Sequence, residues 1–475
     1  MADRDLIYLS ATELGRRIQA GEVSPVEAAE AYLERIVEVE PKLNAYITVL
    51  GDEAIESARQ AESEIAAGNH RGPLHGVPVG VKDQIHTAGI LTTSASKLRA
   101  DFVPDEDATV VRNLKRAGAV IIGKLNMTEL AFGDPITSAF GVTGNPWDPP
   151  RNPGTSSTGS GAATASFMCA TSLGEDTGGS VRGPAANCGL VGLRPSWGRV
   201  SRYGVDGASW SLDTIGPVSR TAEDCAATIG AIAGYDPRDS YTWDTPVPDY
   251  PSLLGGGISG LRIGVVKEFT DPELSPATPE TLDAISAATE VLIELGAEVQ
   301  QVSLPLAPLA GVASRTISAV ERAGLNPQWI RERAEDFHPN IRVQLMTADL
   351  IPATVYNKAQ KMRSMIRAQA LEMLESVDVL LMPTSPAPPQ VMDLTAGINS
   401  EREASSWLSD ASFRGLFSMV SGPALSICCG FTTEDGVELP LAMQIAGRPF
   451  DEATLLRVAH TYEQATEWHT RRPPI

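Results

Sequence analysis

The sequence is poor in cysteine and lacks long hydrophobic segments. It has five cysteines, none of them in a C-x-x-C pair, and an odd number in a large chain argues against a disulfide framework. We expect all five to be buried thiols. No run of about 18 apolar residues is present, and the first residues, Met-Ala-Asp-Arg-Asp, lack the apolar core of a signal peptide. These absences predict a cytoplasmic protein that neither spans a membrane nor is exported.

Basic residues are scarce relative to acidic ones. Lys and Arg number 38 against 59 for Asp and Glu, so the formal net charge is −21. Proteins that bind nucleic acid or anionic membranes present basic faces, and this composition disfavours both kinds of partner. Most of the negative charge is accounted for by solubility. Because nucleic acid and anionic membranes are disfavoured, the expected partner is a small molecule.

The chain is long enough for two or three average domains or for one large α/β domain. The first 70 residues are predicted to be helical, because Ser10-x-x-Glu13 and Ser24-Pro25-x-Glu27 are capping-box signals that each open a periodic apolar stretch. From about residue 77, short apolar runs bounded by Gly or Pro alternate with amphipathic stretches, which predicts an α/β sheet covered by helices. The apolar runs are Val77 to Val81, Ala119 to Ile122, Leu261 to Val266, Val377 to Met382, Ala424 to Ile427 and Leu439 to Ile445.

Two segments depart from this alternation. Residues 131–220 are dense in Gly, Ser, Thr, Pro and Asn, yet they are neither repetitive nor charged as flexible linkers tend to be. So much glycine favours a segment in which backbone closely approaches backbone or ligand. Residues 234–260 end in a glycine-rich turn without phosphate-loop spacing, and we expect a surface excursion there rather than a domain boundary.

Several hydrolase classes find no support in the motifs. The six histidines are widely scattered and no H-E-x-x-H is present, which disfavours a zinc site. The α/β-hydrolase elbow G-x-S-x-G is also missing. Ser94-Ala-Ser-Lys97 matches the S-x-x-K of penicillin-recognising enzymes, but no S-D-N or K-T-G follows it in place. A different pairing of serine with lysine is therefore the chemistry to look for.

The strongest serine candidate lies in Gly174-Glu-Asp-Thr-Gly-Gly-Ser180-Val-Arg-Gly-Pro-Ala185. Two glycines before Ser180 let successive backbone N–H groups converge on one point, because glycine accepts positive φ and has no side chain in the way. An oxyanion hole is built in this manner. A structural turn with a capping serine has the same local pattern, so the spacing alone leaves both interpretations open.

Two upstream segments supply the other candidate groups. Small hydroxyl residues surround Ser156 in the segment Arg151-Asn-Pro-Gly-Thr-Ser156-Ser-Thr-Gly-Ser160, and Lys82 ends the apolar run Gly76-Val-Pro-Val-Gly-Val-Lys82. A lysine in such a place usually extends to the surface. If Lys82 is buried instead, desolvation lowers its pKa and the neutral amine becomes available as a general base.

These three segments, in this order, resemble the signature of the amidase signature family. Lys82, Ser156 and Ser180 are separated by 74 residues (82 to 156) and 24 residues (156 to 180), and they fall on the family's lysine, cis-serine and nucleophilic serine. The resemblance covers nearly the whole chain. Its further motifs are Asp107-Ala-x-Val-Val-x-x-Leu, Gly123-Lys-Leu-Asn-Met127, Gly189-Leu-Val-Gly-Leu-Arg-Pro195, Ser211-Leu-Asp-x-Ile-Gly-Pro217, Gly422-Pro-Ala-Leu-Ser426 and Gly430-Phe431.

The resemblance implies a single α/β/α domain over residues 1–475, built on a large, mixed, twisted sheet. Residues 77–220 would form its catalytic core, and 261–475 would complete the sheet and supply substrate-side helices. No cofactor and no metal are implied. In the implied mechanism, neutral Lys82 draws a proton through the Ser156 hydroxyl from Ser180, which attacks the acyl carbon. The implied oxyanion donors are the backbone N–H groups of Thr177, Gly178, Gly179 and Ser180.

Neighbouring residues are expected to support these groups. Asp176 and Arg182 are predicted to pair and to hold the glycine turn. Ser157 offers an alternative relay one residue on, although the 24-residue spacing favours Ser156. The expected pocket residues are Met127, Thr155 and Trp210, which lie in or beside motifs that border the substrate. For Met127 and Trp210, packing in the ordinary hydrophobic core is the alternative.

The relay segment departs from the family pattern. Where the family has Gly-Gly-Ser-Ser-Gly-Gly-Ser, this chain has Gly154-Thr-Ser-Ser-Thr-Gly-Ser160, so two threonines replace glycines. The resemblance implies a cis peptide bond before the relay serine, and the β-branched Thr155 must fit beside it. Either the turn is reshaped or the threonine methyl and hydroxyl line the pocket, and we favour pocket lining.

Within the family, the glutamine-dependent amidotransferase subunit that supplies ammonia for glutaminyl-tRNA formation is one candidate. Residues 314–351 lack the Ala-Arg-Tyr-Asp-Gly-type stretch of those subunits, and no Asp is clearly placed to hold the glutamine amine, although Arg363 is present. We therefore favour a free-standing amidase, monomeric or homodimeric, for an aliphatic or aryl amide, an anilide, a carbamate (as a urethanase) or an ester. A further alternative is a catalytically silent protein whose Gly–Ser loops bind a partner's carboxylate, but the presence of all three catalytic side chains argues against it.

Overall fold

A computed structural model describes residues 4–325, 327–395 and 413–475 of the chain. Over these residues the chain forms eleven strands, most of them separated by helices. In chain order the strands are β1 Tyr46–Val49, β2 Pro78–Lys82, β3 Val120–Leu125, β4 Thr171–Asp176, β5 Val191–Arg194, β6 Thr214–Ser219, β7 Arg262–Val266, β8 Glu298–Val302, β9 Val379–Pro383, β10 Ala424–Glu434 and β11 Val437–Ala446.

The helices are mostly two to six turns long and cover the sheet. They are α1 Ala11–Gln19, α2 Pro25–Leu43, α3 Gly51–Ala66, α4 Thr109–Arg116, α5 Thr158–Ala165, α6 Arg182–Cys188, α7 Ala222–Ile232, α8 Lys267–Thr270, α9 Pro279–Glu294, α10 Ala310–Leu325, α11 Pro327–Glu332, α12 Pro339–Ala348, α13 Ala353–Ser376, α14 (described over 413–420) and α15 Glu452–Gln464. Of these described helices, none is long and apolar enough to span a membrane.

All eleven strands belong to one sheet, in the order β1-β3-β2-β4-β6-β5-β10-β11-β9-β7-β8. The sheet is mixed: β2 runs parallel to β3 and β4, and β7 runs parallel to β8 and β9, whereas the strands between these two groups pair antiparallel. Strands β2, β3, β4 and β9 are buried along their whole length, as expected for a sheet covered by helices. This architecture confirms the predicted α/β fold class, and each predicted apolar run overlaps a strand.

The N-terminal region differs in one respect from the prediction that it is helical. Four residues between α2 and α3 form β1, which pairs antiparallel with β3 at the edge of the sheet. So short a strand has no periodicity for sequence analysis to detect. The predicted caps are present: Ser24 and Glu27 form a complete capping box, and Ser10 Oγ accepts the Glu13 N–H.

The glycine-rich segment 131–220 is part of the sheet and its helices, since it contains β4, β5, β6, α5 and α6. The backbones approach closely there. A Cβ at Gly159 in α5 would lie 2.2 Å from the carbonyl oxygen of Ala45. Residues 234–260 connect α7 to β7 through turns and the short 3-10 helix Pro251–Leu253. The five cysteines are all buried and free, as predicted.

Candidate active site

The candidate site lies where β2 and β4 end side by side. The two strands are parallel, with Val81 opposite Leu173, so their carboxyl ends reach the same edge of the sheet. Lys82 is the last residue of β2, and Glu175 and Asp176 are the last residues of β4. The pairing of the two strands therefore places a lysine beside two carboxyl groups at one edge.

Lys82 is fully buried and faces Ser156. Its Nζ lies 2.7 Å from Ser156 Oγ and 3.4 Å from Glu175 Oε2. Burial lowers the pKa of Lys82, and the neighbouring Glu175 carboxylate opposes that effect. Because desolvation disfavours the charged form of an amine, Lys82 is suited to act as a neutral base close to neutral pH.

Ser156 reaches Lys82 because of its place at the entry to α5. The Thr155–Ser156 peptide bond is cis, and the Ser156 carbonyl accepts the Thr128 N–H at 3.1 Å. Ser157 has other contacts: its Oγ accepts the Glu175 N–H at 3.3 Å. The hydroxyl that lies within hydrogen-bond distance of Lys82 is therefore that of Ser156.

A buried ion-pair network holds the loop that follows β4. Asp176 accepts from Arg182 Nε and Nη2 at 3.0 Å each and from Arg194 Nη1 at 3.1 Å, and all three side chains are fully buried. Burial alone would raise the pKa of Asp176, but the two guanidinium groups outweigh it and lower that pKa below its ordinary value. Arg182 also donates to Gln444, to Ser418 Oγ and to the Arg414 carbonyl. One guanidinium thus joins the loop to the C-terminal part of the chain.

The loop Thr177–Ser180 carries the predicted nucleophile immediately before α6. Gly179 has φ of +124°, and a Cβ there would lie 2.5 Å from Arg414 Cδ, so the turn requires glycine. The Gly179 N–H donates to Asp176 Oδ1 at 2.7 Å, which directs this amide to the carboxylate rather than to a substrate. Ser180 is 9% exposed, and among the residues that the structure describes no atom apart from the chain neighbours of Gly178 lies within 4 Å of the Cβ position of Gly178. The described residues therefore leave space beside the serine.

The predicted pocket residues lie in different surroundings. Met127 is fully buried in a small cluster with Ala95, Ala131 and Ala208. Trp210 is 43% exposed and lines a cavity of about 280 Å³. Thr155 is half-buried. Their contact with a substrate remains a prediction.

Arg363, whose presence was noted in weighing a glutamine-dependent subunit, contacts the protein itself. Its guanidinium donates to the hydroxyl groups of Ser211 and Ser421 and to the carbonyl groups of Ser211 and Met419. Most of the donor capacity of this side chain is therefore used within the fold.

Three acidic and hydroxyl groups at the site were not singled out from the sequence. Glu175 lies beside Lys82, and the Thr177 hydroxyl lies 2.8 Å from both Glu175 Oε1 and Asp213 Oδ1. Asp213 stands just before β6, in the motif that begins at Ser211. The motif was a signal for Asp213, whereas the side-chain direction of Glu175 follows only from the pairing of β2 with β4.

A model of the family described as Amidase matches residues 27–456. The chain belongs to the amidase signature family. This amidase is therefore a hydrolase that acts on carbon–nitrogen amide bonds, and the family resemblance and the fold expected from it are confirmed.

Relatives of this amidase span its whole length. A glutamyl-tRNA(Gln) amidotransferase subunit of Geobacter metallireducens is 41% identical over 99% of this chain and 100% of the relative. Among solved structures, one is described as a vestigial protein complex that reveals the evolutionary origins of an s-triazine catabolic enzyme. A chain of that structure superposes with a TM-score of 0.88 at 29% identity, over 96% of this chain and 98% of the other. The native peptide amidase of Stenotrophomonas maltophilia superposes with a TM-score of 0.82 at 31% identity, over 100% and 99% of the two chains.

Proposed function

We propose that the chain hydrolyses an amide through an acyl-enzyme on Ser180, with Ser156 as relay and Lys82 as base. The observation that supports this most directly is the 2.7 Å contact between a fully buried lysine amine and the Ser156 hydroxyl. In the proposed reaction the Ser180 proton passes through Ser156 to Lys82 while Ser180 Oγ bonds to the acyl carbon. The proton then returns to the leaving nitrogen, the carbon–nitrogen bond breaks, and water releases the acyl group along the same relay.

The proposed oxyanion donors are the backbone N–H groups of Thr177, Gly178 and Ser180. Gly179 was among the donors expected from the sequence, but its amide donates to Asp176. We therefore assign it the role of fixing the turn rather than of binding the oxyanion. Donors that are held in place before reaction stabilise the developing charge without reorganisation.

The first candidate substrate is the side-chain amide of glutamine, with this chain acting as the ammonia-releasing subunit of an amidotransferase. The curated relatives favour this function over the free-standing amidase that the sequence motifs suggested, because an amidotransferase subunit matches at 41% identity over 99% of this chain and the full length of the relative. Such a role implies other subunits as partners.

The second candidate is a free-standing amidase. Two observations favour it: the donors of Arg363 bind the protein rather than an open space, and the similar solved structures include a peptide amidase. Its substrates would be small aliphatic or aryl amides, with carbamates and esters as further candidates for the same acyl chemistry.

A substrate panel with the purified chain separates the two candidates. Release of ammonia or amine is measured with glutamine, aliphatic amides, anilides, carbamates and esters, with Ser180→Ala as the control. Glutaminase activity that rises when the other amidotransferase subunits of a relative are added supports the first candidate. Turnover of simple amides by the chain alone supports the free-standing amidase. If neither turnover nor fluorophosphonate labelling of Ser180 occurs, the proposed chemistry is wrong.

A further inference from the structure

Glu175 places a third ionisable group against the proposed base. Its side chain is fully buried, and Oε2 lies 3.4 Å from Lys82 Nζ. The Glu175 backbone carbonyl is also 3.4 Å from the same nitrogen. A neutral amine has two N–H groups and one lone pair, so these two oxygens can accept the N–H groups while the lone pair faces Ser156. Glu175 is thus in a position to orient the amine as well as to pair with it.

The Thr177 hydroxyl constrains where the protons are. Thr177 Oγ1 lies 2.8 Å from Glu175 Oε1 and 2.8 Å from Asp213 Oδ1. A threonine hydroxyl carries one proton, so it can donate to only one of these oxygens. The other contact is a hydrogen bond only if that carboxyl group carries a proton itself.

Asp213 is the member of this pair that accepts further hydrogen bonds. Its Oδ2 accepts the backbone N–H groups of Ala208 at 2.8 Å and Ser209 at 2.7 Å, and such bonds favour a carboxylate. In the arrangement that satisfies every contact, Glu175 is protonated and donates to Thr177, which donates to Asp213. Lys82 and Glu175 are then both neutral.

We propose that Glu175 is a positioning residue that shares one proton with Lys82 and so sets the pH at which Lys82 becomes a base. With the proton on Lys82, the two groups form an ion pair in which the amine cannot accept from Ser156. With the proton on Glu175, the pair carries the same net charge and the amine is free to act. This inference rests on the proposed function, in which Lys82 is the base.

The charges around Glu175 come from several elements. Lys82 on β2 faces it, Asp176 follows it on β4, and Asp213 stands before β6. Arg194 on β5 and Arg322 on α10 contribute positive charge from further away. Burial is the largest influence and raises the pKa of Glu175, Asp213 adds to the increase, and Lys82 opposes it. The surroundings therefore raise the pKa of Glu175 and lower that of Lys82 toward each other, so that the proton can reside on either group near neutral pH.

Glu175→Gln tests the inference, because glutamine keeps a donor for Thr177 but cannot form the carboxylate. Without the ion-paired state, the pKa of Lys82 falls. An opposite charge within about 4–6 Å typically shifts a pKa by about 1–3 units. The acidic limb, which is the low-pH part of the pH–rate profile where the rate falls as Lys82 becomes protonated, should therefore move to lower pH by about one unit or more. The measurement is the rate of Ser180 labelling by a fluorophosphonate as a function of pH, which requires no knowledge of the substrate. At a pH below the wild-type midpoint, the variant should react about tenfold faster relative to its own plateau.

Two controls keep the test specific. Glu463→Gln removes another buried carboxyl group, which lies on α15 and accepts the Ala222 N–H, and it should leave the limb where it is. Glu175→Asp keeps an acid but shortens its reach to Lys82, so it should move the limb in the same direction by a smaller amount and serves if the glutamine variant does not fold. A limb that stays in place in the folded Glu175 variants, or moves to higher pH, overturns the inference. Absence of labelling in the wild type would instead refute the proposed function.

Discussion

The ion-pair network at Asp176 makes a strong prediction about stability. Asp176→Asn leaves two guanidinium groups, Arg182 and Arg194, without their shared counter-charge in a site that is fully buried. Breaking a buried ion pair by removal of one partner costs about 3–5 kcal/mol, and solvent does not screen this site. The Gly179 N–H can still donate to an asparagine oxygen, so the loss should come mainly from the uncompensated charge. We expect the variant to lose about 3–5 kcal/mol in free energy of unfolding.

The assay is urea unfolding at pH 7, followed by the fluorescence of the seven tryptophans. Because the folded-state pKa of Asp176 is lowered, its contribution is complete above its unfolded pKa and disappears only as the pH falls through the folded pKa. Asp378→Asn is the matched control, since Asp378 pairs with Arg262 at 2.7 Å in a more exposed place. Solvent screens this pair, so its removal should lower the free energy of unfolding much less. If Asp176→Asn costs no more than this control, the assigned role of the network is wrong.

Three further predictions concern catalysis. Lys82→Ala should lower the turnover rate by orders of magnitude, and unchanged turnover in this variant would refute the base assignment. Wild-type activity should decline as the pH falls through the lowered pKa of Lys82, because the protonated amine cannot act as a base. Gly179→Ala places a Cβ 2.5 Å from Arg414 Cδ at φ of +124°, so the turn should shift and displace the proposed oxyanion donors on either side of it. Loss of one such donor costs about 10²–10³-fold in kcat, and we expect a decrease of this size with KM little changed in steady-state assays. Thr155→Gly should lower KM for bulkier acyl groups if Thr155 lines the pocket, and an unchanged ranking of substrates by KM would exclude that role.

Much of the fold was predictable, and the candidate triad could be named, because both depend on local signals. The apolar runs over 77–81, 377–382 and 439–445 carry their own strand pattern, and Ser24 carries its own cap. The order of Lys82, Ser156 and Ser180 in distinct motifs gave the candidate triad before any geometry was known. Local patterns of this kind survive in the structure because each agrees with the fold around it.

The features that could not be predicted depend on register. The position of Glu175 beside Lys82 depends on the pairing of Val81 with Leu173, and a shift of one residue would turn the carboxyl group to the other face of the sheet. The direction of the Gly179 amide depends on where Asp176 ends its strand. Neither relationship leaves a trace in the composition or spacing of a single sequence.

The guanidinium of Arg182 has a consequence for changes of substrate range. It binds Asp176 at the end of β4 and also Gln444, Ser418 and the Arg414 carbonyl. Substitutions around residues 414–444 can therefore shift the loop that carries Ser180, the proposed nucleophile. Mutations selected there to admit a new substrate should often slow the chemical step as well. Laboratory evolution of this enzyme should therefore yield compensating mutations in pairs, one in the C-terminal strands and one near the glycine turn.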